Sequence, residues 1–223
     1  MTRIERLPSV VEHGLLPDNV CRQQQIKGVE IGYDHIKRRR ARRVVPCGAG
    51  GTLADYVPFY FAHRSPMLFA ITRGQVGTEA ARTDQIVYLV SSTQSLRKAG
   101  LTVVASNRHA ELDYAELSDL DGDLDHDGFV DWPLMTAKYW NNTPDDPDRK
   151  ERRQAECLVH PRVPWQAIEE VATKTEHARS PGRARPGYSG CSASSCRCQS
   201  RVVFLKDDDA DQSRYRKPPR GRR

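Results

Sequence analysis

The chain has no long apolar run, and this absence excludes membrane-spanning proteins first. None of its apolar stretches approaches the roughly 20 residues that a helix needs to cross a bilayer. The N-terminus also lacks the continuous apolar segment of a secretory signal peptide. With 223 residues, 38% of them hydrophobic and 29% charged, the sequence predicts a soluble cytoplasmic protein. We expect one sizeable core and a monomer.

The six cysteines have neither the pattern of a disulfide scaffold nor the spacing of a zinc site. The three nearest the C-terminus lack a histidine partner and form no Cys-x-x-Cys pair, so they do not indicate zinc. A reducing compartment is the simpler interpretation. The cysteines are Cys21, Cys47, Cys157, Cys191, Cys196 and Cys198.

An acidic run at residues 121–131 is the other candidate metal site, because its spacing from Asp123 is that of an EF-hand loop. The twelfth position, however, is Leu134 instead of a bidentate glutamate, and the chain has no second loop. We therefore predict a solvent-exposed acidic loop and no metal. A calcium-dependent interaction module is the alternative.

The net positive charge of the chain comes from its end, because residues 1–178 hold fewer Lys and Arg than Asp and Glu residues. Residues 179–223 hold 12 of the 35 Lys and Arg residues but only 4 of the 29 Asp and Glu residues. We predict a basic, disordered tail there and a folded domain at residues 1–178. A nucleic-acid interface in that domain must therefore rest on a local patch such as residues 37–43.

Aromatic residues, 7% of the chain, cluster in one segment. Residues 56–61 contain Tyr56, Phe59, Tyr60 and Phe61. Such a cluster is either core packing or a platform on which flat rings stack. Pro58 inside it favours an edge strand over a central one.

The remaining patterns predict a mixture of short helices and strands. We expect helices at residues 7–16 (ending at Gly14), 34–45, 96–100, 149–155 and 167–178; strands at 85–90, 101–105 and 157–159; and a loop at 19–32. Glu156 stands at the start of a buried strand, where a carboxylate needs a partner. Arg152 or Arg153 on the preceding helix could supply a salt bridge.

Two stretches together resemble a known family. The sequence of residues 50–61, followed by Arg-Ser-Pro-Met-Leu at 64–68, is similar to the DarT family, toxins that ADP-ribosylate thymine bases in single-stranded DNA. Glu-Arg-x-Gln-Ala-Glu-x-Leu at 151–158 and Val-Pro-Trp at 163–165 fit the same pattern. The resemblance covers residues 3–178. It implies the α+β ADP-ribosyltransferase fold, a split core of two small antiparallel sheets with flanking helices around an NAD cleft.

The resemblance also implies the site. Glu156 matches the catalytic glutamate, and Arg40 the functional arginine, with Arg39 as the choice if the alignment slips by one residue. A guanidinium stays protonated at any working pH, so we expect Arg40 to bind the pyrophosphate or the deprotonated thymine instead of acting as a base.

The family's NAD-binding segment matches Arg3, Ile4 and Glu5, although Arg3 and Arg6 replace its histidine and asparagine. For DNA, the resemblance points to five side chains. They are His109, Arg152, Arg153 and, for base stacking, Tyr56 and Tyr60, with Phe59 as a further candidate.

The function implied is transfer of ADP-ribose from NAD to thymine in single-stranded DNA, with release of nicotinamide. A macrodomain antitoxin that removes the modification is the implied partner. Because Arg3 and Arg6 depart from the family pattern, an alternative hypothesis is a catalytically impaired, nucleic-acid-binding remnant of the same fold.

Overall fold

The computed structural model describes residues 1–26, 32–73, 85–119 and 128–173, together with residues 201–202. Its strands are β1 (Thr2–Arg3), β2 (Val57–Tyr60), β3 (Ile86–Ser92), β4 (Thr102–Ser106), β5 (Leu117–Asp119), β6 (Glu156–His160), β7 (Glu170–Thr173) and β8 (Arg201–Val202). Its helices are α1 (Leu7–His13), α2 (Asp18–Gln23), α3 (Asp34–Arg40), α4 (Pro66–Thr72), α5 (Thr93–Lys98), α6 (Trp132–Thr136) and α7 (Arg149–Arg152).

One antiparallel sheet has the order β2-β6-β4-β5. Strand β6 lies in its interior, and its first four residues are buried, as expected for a strand covered on both faces. Strand β2 is at the edge, and Pro58, which has no N–H to give a neighbour, is exposed there. The predicted edge strand is confirmed.

The second antiparallel sheet has the order β1-β3-β7, and β8 also pairs with β3. Two small antiparallel sheets with flanking helices confirm the predicted α+β class. Among the described residues, no helix is both long enough and apolar enough to cross a membrane.

Polar side chains cap the first turn of α4, α5 and α6. Ser65 accepts a hydrogen bond from the Leu68 N–H at 3.2 Å at the start of α4, and Asp131 does the same for Leu134 at 3.0 Å at the start of α6. Gly14 ends α1 with φ +79°, as its position in the sequence predicted.

Two predictions of local structure are wrong. Residues 19–32 were expected to form a loop, but α2 occupies Asp18–Gln23, because helix-forming polar residues need no apolar period when the helix lies at the surface. Residues 167–178 were expected to be helical, but β7 pairs with β3 over Glu170–Thr173. Pairing with an existing strand overrides weak helix propensity there.

Other predictions hold in part or lie outside the described residues. The helix expected at 149–155 is a single turn, α7 (Arg149–Arg152). Most of the acidic run at 121–131 is not described, and in the described ranges no three His, Cys, Asp or Glu side chains form a group that could hold a metal. Of the tail at 179–223, the described part is β8 alone.

Candidate active site

A cavity of about 530 Å³ is lined by residues of both sheets and of the helices beside them. Strands β2 and β6 contribute Phe59, Tyr60 and Glu156, and helix α3 contributes Arg40. His109, which follows β4, completes a cluster of polar groups at this wall. The volume lies within the range of about 300–1,000 Å³ that small-molecule sites occupy.

Arg40 and Glu156 meet in this cavity as an ion pair. Nη1 of Arg40 donates to both carboxylate oxygens, at 3.1 Å to Oε1 and 2.8 Å to Oε2. The side chains are 11% and 1% exposed. The partner of Glu156 is therefore Arg40, from a segment more than a hundred residues earlier, and neither Arg152 nor Arg153.

Two further hydrogen bonds, one to the last residue of β4 and one from the loop after it, hold Glu156 in place. Its N–H donates to Oγ of Ser106 at 3.0 Å, and its Oε1 accepts from the Ala110 N–H at 3.3 Å. Because β6 is an interior strand, Glu156 at its start is held rigidly beside the end of β4.

The guanidinium of Arg40 keeps its charge and one free donor. Burial would lower the pKa of Arg40, but the charge of Glu156 and the hydrogen bond to it outweigh burial, so the pKa is raised. Nη2 of Arg40 is buried and has no hydrogen-bond partner among the described residues. A buried donor without a partner is costly, so this N–H is available to an acceptor atom of a ligand in the cavity.

Arg39, the neighbouring candidate, points elsewhere. Its side chain is 59% exposed, and Nη2 lies 3.0 Å from Oε1 of Glu111. The ungapped alignment that selects Arg40 thus agrees with the geometry.

Tyr60 and Tyr56 have different surroundings, although both were expected to stack on a base. Tyr60 lines the cavity opposite Glu156 in the β2–β6 pairing, and burial, followed by the charge of Glu156, raises the pKa of its phenol. Tyr56 is 1% exposed, packs in a hydrophobic cluster and donates to the Gly50 carbonyl at 3.0 Å. Tyr56 is also among the cavity-lining residues, but its ring is almost fully buried, so the structure argues against base stacking on Tyr56. Phe59 is also core.

Arg153 does not face the DNA backbone, and that prediction is wrong. It is fully buried and donates to the carbonyl oxygens of Arg64, Leu134 and Ala137. Burial and the nearby charge of Arg64 lower its pKa to about 10. Its role is to join backbone segments inside the protein.

Arg152 is at the surface but is already surrounded by acids. It lies 3.1 Å from Asp131, 2.5 Å from Asp146 and 3.1 Å from Asp148. A DNA phosphate bound here would be placed beside these carboxylates, so the structure argues against this assignment as well.

Arg3 is held by its own surroundings instead of lining the cavity. It forms an ion pair with Glu5 at 2.9 Å, and its Nη2 donates to Gln85 at 2.9 Å. Of the N-terminal segment, Met1 lines the cavity, whereas Arg3, Ile4 and Glu5 are not among the described lining residues. Their assignment as direct NAD contacts stays a prediction.

Several residues in or beside the site had no prediction from the sequence, among them Met1, His63 and Glu111. Met1 and His63 line the cavity without belonging to any motif, and burial with the charges of Arg153 and Arg64 lowers the pKa of His63 to about 4. Glu111 is buried beside His109. An acid two residues after a histidine, in the polar run that follows a strand, is the signal that could have found Glu111.

Two antiparallel sheets around a cavity that holds a buried arginine–glutamate pair define an ADP-ribosyltransferase. The family model "DarT: ssDNA thymidine ADP-ribosyltransferase, DarT" matches residues 1–181. The chain therefore belongs to the DarT family, and the fold predicted by resemblance is confirmed.

Individual relatives agree. A DNA ADP-ribosyl transferase of Thermus sp. (strain 2.9) is 40% identical over 177 residues, covering 79% of this chain and 80% of the relative. One from Mycobacterium tuberculosis H37Rv is 33% identical over 175 residues, covering 76% and 73%.

Solved structures show the same similarity. Thermus sp. 2.9 DarT in complex with ADP-ribosylated ssDNA superposes with a TM-score of 0.69 at 38% identity, covering 79% of this chain and 80% of that one. The same protein in complex with NAD⁺ gives a TM-score of 0.65 at 35% identity, covering 79% and 81%.

Proposed function

We propose that this chain transfers ADP-ribose from NAD to a thymine base in single-stranded DNA and releases nicotinamide. The observation that carries the proposal is the buried Arg40–Glu156 pair inside the cavity of a DarT family member. The complexes of the Thermus relative with NAD⁺ and with ADP-ribosylated ssDNA support the donor and the acceptor. The alternative of an impaired remnant has no observation in its favour.

The cavity fits a dinucleotide donor by size and by chemistry. Its volume of about 530 Å³ accommodates a small molecule, and the unpartnered Nη2 of Arg40 offers a charged donor for an anionic oxygen. NAD supplies the ADP-ribosyl group and loses nicotinamide as the leaving group.

Glu156 stabilises the positive charge that develops on the ribose as its bond to nicotinamide breaks. A carboxylate holds about four lone-pair sites, so Glu156 can accept a ribose hydroxyl while it keeps Arg40 and the Ala110 N–H. The attraction strengthens as charge develops, which is the property that lowers the barrier.

Arg40 acts as a fixed cation. Because its pKa is raised, it does not accept the thymine proton. It binds an anionic oxygen of the donor or of the deprotonated base, and its two hydrogen bonds hold Glu156 in place. Tyr60 and His109, at the same wall of the cavity, are our candidates for contact with the acceptor base.

Mass spectrometry of short oligonucleotides tests the proposal. Wild-type protein incubated with NAD should add one ADP-ribosyl mass to thymine-containing single strands and release nicotinamide. Glu156→Gln removes the charge but keeps the shape, and we expect the rate to fall by at least about 10²-fold.

Glu12, whose side chain is 74% exposed on α1, supplies the matched control, because Glu12→Gln makes the same chemical change outside the residues that line the cavity and should transfer at the wild-type rate. Wild-type protein that retains DNA but releases no nicotinamide would support the impaired remnant instead. Equal rates for Glu156→Gln and wild type would remove Glu156 from its role.

The setting of this activity is also part of the proposal. NAD and DNA occur together in the cytoplasm, so we infer a cytoplasmic protein. A macrodomain antitoxin, as the family resemblance implies, would act on the modified DNA. The transferase domain spans residues 1–178, in keeping with a family match that ends at residue 181.

A further inference from the structure

The site contains a second buried carboxylate that the proposed reaction does not use. The side chain of Glu111 is 6% exposed, although it lies in the segment after β4. Its Oε1 is 3.6 Å from Nδ1 of His109, whose side chain is 9% exposed. Burial of a carboxylate is costly, so its presence beside the cavity requires a physical reason.

The ion pair with Arg39 is not a sufficient reason. Arg39 is 59% exposed, and solvent screens a pair of that kind. The other oxygen of Glu111, Oε2, is buried and has no hydrogen-bond partner among the described residues. The neighbour that shares the burial of Glu111 is the imidazole of His109.

His109 has a carboxylate at each of its ring nitrogens. Nε2 lies 4.0 Å from Oε1 of Glu156, on the opposite side of the ring from Glu111. The backbone N–H of His109 donates to the Glu151 carbonyl at 3.0 Å, which anchors the loop. The charged and titratable groups that face the ring are therefore Glu111 from its own segment, Glu156 from β6, Arg40 from α3 beyond Glu156, and Tyr60 from β2.

We propose that Glu111 is the positioning residue of this site. It holds the His109 ring with Nδ1–H toward itself. With Nδ1–H directed at Glu111, the ring presents Nε2 to the cavity beside Glu156. This inference rests on the proposed function, in which Nε2 of His109 contacts the incoming thymine.

A measurement independent of activity tests the first part. The ring nitrogens of His109 are followed by ¹⁵N NMR, with their signals identified by their loss in His109→Gln. In Glu111→Gln we expect the Nδ1 and Nε2 signals to shift, because the ring loses the oxygen toward which Nδ1–H is directed. Asp113→Asn removes the same charge from a fully exposed side chain two residues away from Glu111 and should leave both signals unchanged.

Steady-state kinetics test the second part. We expect Glu111→Gln to lower kcat for the thymine oligonucleotide about tenfold with little change in the KM for NAD. The double variant Glu111→Gln/His109→Gln should be no slower than His109→Gln, since Glu111 acts through that ring.

Losses that multiply in the double variant would overturn the inference, as would unchanged ring-nitrogen signals of His109 in Glu111→Gln. Failure of the proposed function gives a different result, because wild-type protein would then transfer nothing while the NMR shift on Glu111→Gln persisted.

Discussion

Three arginines with the same chemistry have three roles here, and the difference lies in what each guanidinium finds around it. Arg40 meets one carboxylate and lines the cavity, so it can bind a ligand there. Arg152 meets three acids at the surface. Arg153 meets only carbonyl oxygens in the interior. Residue type alone therefore does not identify the arginine that functions.

The role of Arg153 can be tested by stability. Arg153→Met should lower the free energy of unfolding by about 3 kcal/mol, because buried carbonyl oxygens lose their donor. Chemical denaturation measures this loss. Arg162→Met, at an exposed position after β6, should change the free energy by less than about 0.5 kcal/mol. A stable Arg153→Met protein that binds DNA poorly would restore the original assignment of Arg153 as a DNA contact.

At the scale of elements, the join between α1 and the chain after β6 depends on one glycine. Leu15 and Val163 form a two-way backbone bridge, with N–H to oxygen distances of 2.8 and 2.9 Å. Gly14 precedes it with φ +79°, and a Cβ at Gly14 would lie 2.5 Å from the Val163 carbonyl oxygen. Only glycine allows α1 to end this close to the other segment.

Gly14→Ala should therefore lower the stability more than a Gly→Ala substitution at a glycine that has a similar positive φ but free space around its Cβ. Gly100, with φ +72°, is the matched control, because no described atom lies within 4 Å of a Cβ placed there. We expect about 1–3 kcal/mol of destabilisation from the strained backbone in Gly100→Ala, and a larger loss in Gly14→Ala. Thermal melts of the two variants compare them, and equal losses would show that the close approach costs nothing.

At the scale of the whole molecule, folding keeps His63, which lines the cavity, neutral at a pH at which the unfolded chain is protonated there. The folded-state pKa of His63 is about 4 against an ordinary 6.5, because of burial and the charges of Arg153 and Arg64. Between these two values the unfolded chain binds more protons than the folded protein, so stability falls as the pH drops from about 6.5 to about 4.

His63→Gln removes this contribution, and its free energy of unfolding should fall less steeply with acid than that of the wild type. Denaturation at pH 4.5, 5.5 and 6.5 measures the slope. His13→Gln, at a half-exposed surface position, should run parallel to the wild type. Parallel curves for His63→Gln and wild type would contradict the assigned protonation.

Motifs in the sequence were sufficient for the family, the two-sheet class and the pair Arg40 and Glu156, because contiguous residue patterns carry them. Local propensity also found the edge strand at Pro58 and the end of α1 at Gly14. It missed β7, since a strand there depends on the neighbouring β3.

What the tertiary structure decided was the environment of each side chain. It buried Tyr56 and Arg153, surrounded Arg152 with acids and set Glu111 against His109. The burial of Tyr56 and Arg153 depends on contacts between segments far apart in the chain. The neighbours of Arg152 and Glu111 are partly close in sequence, but the folded backbone decides whether their side chains are buried and which charges they meet.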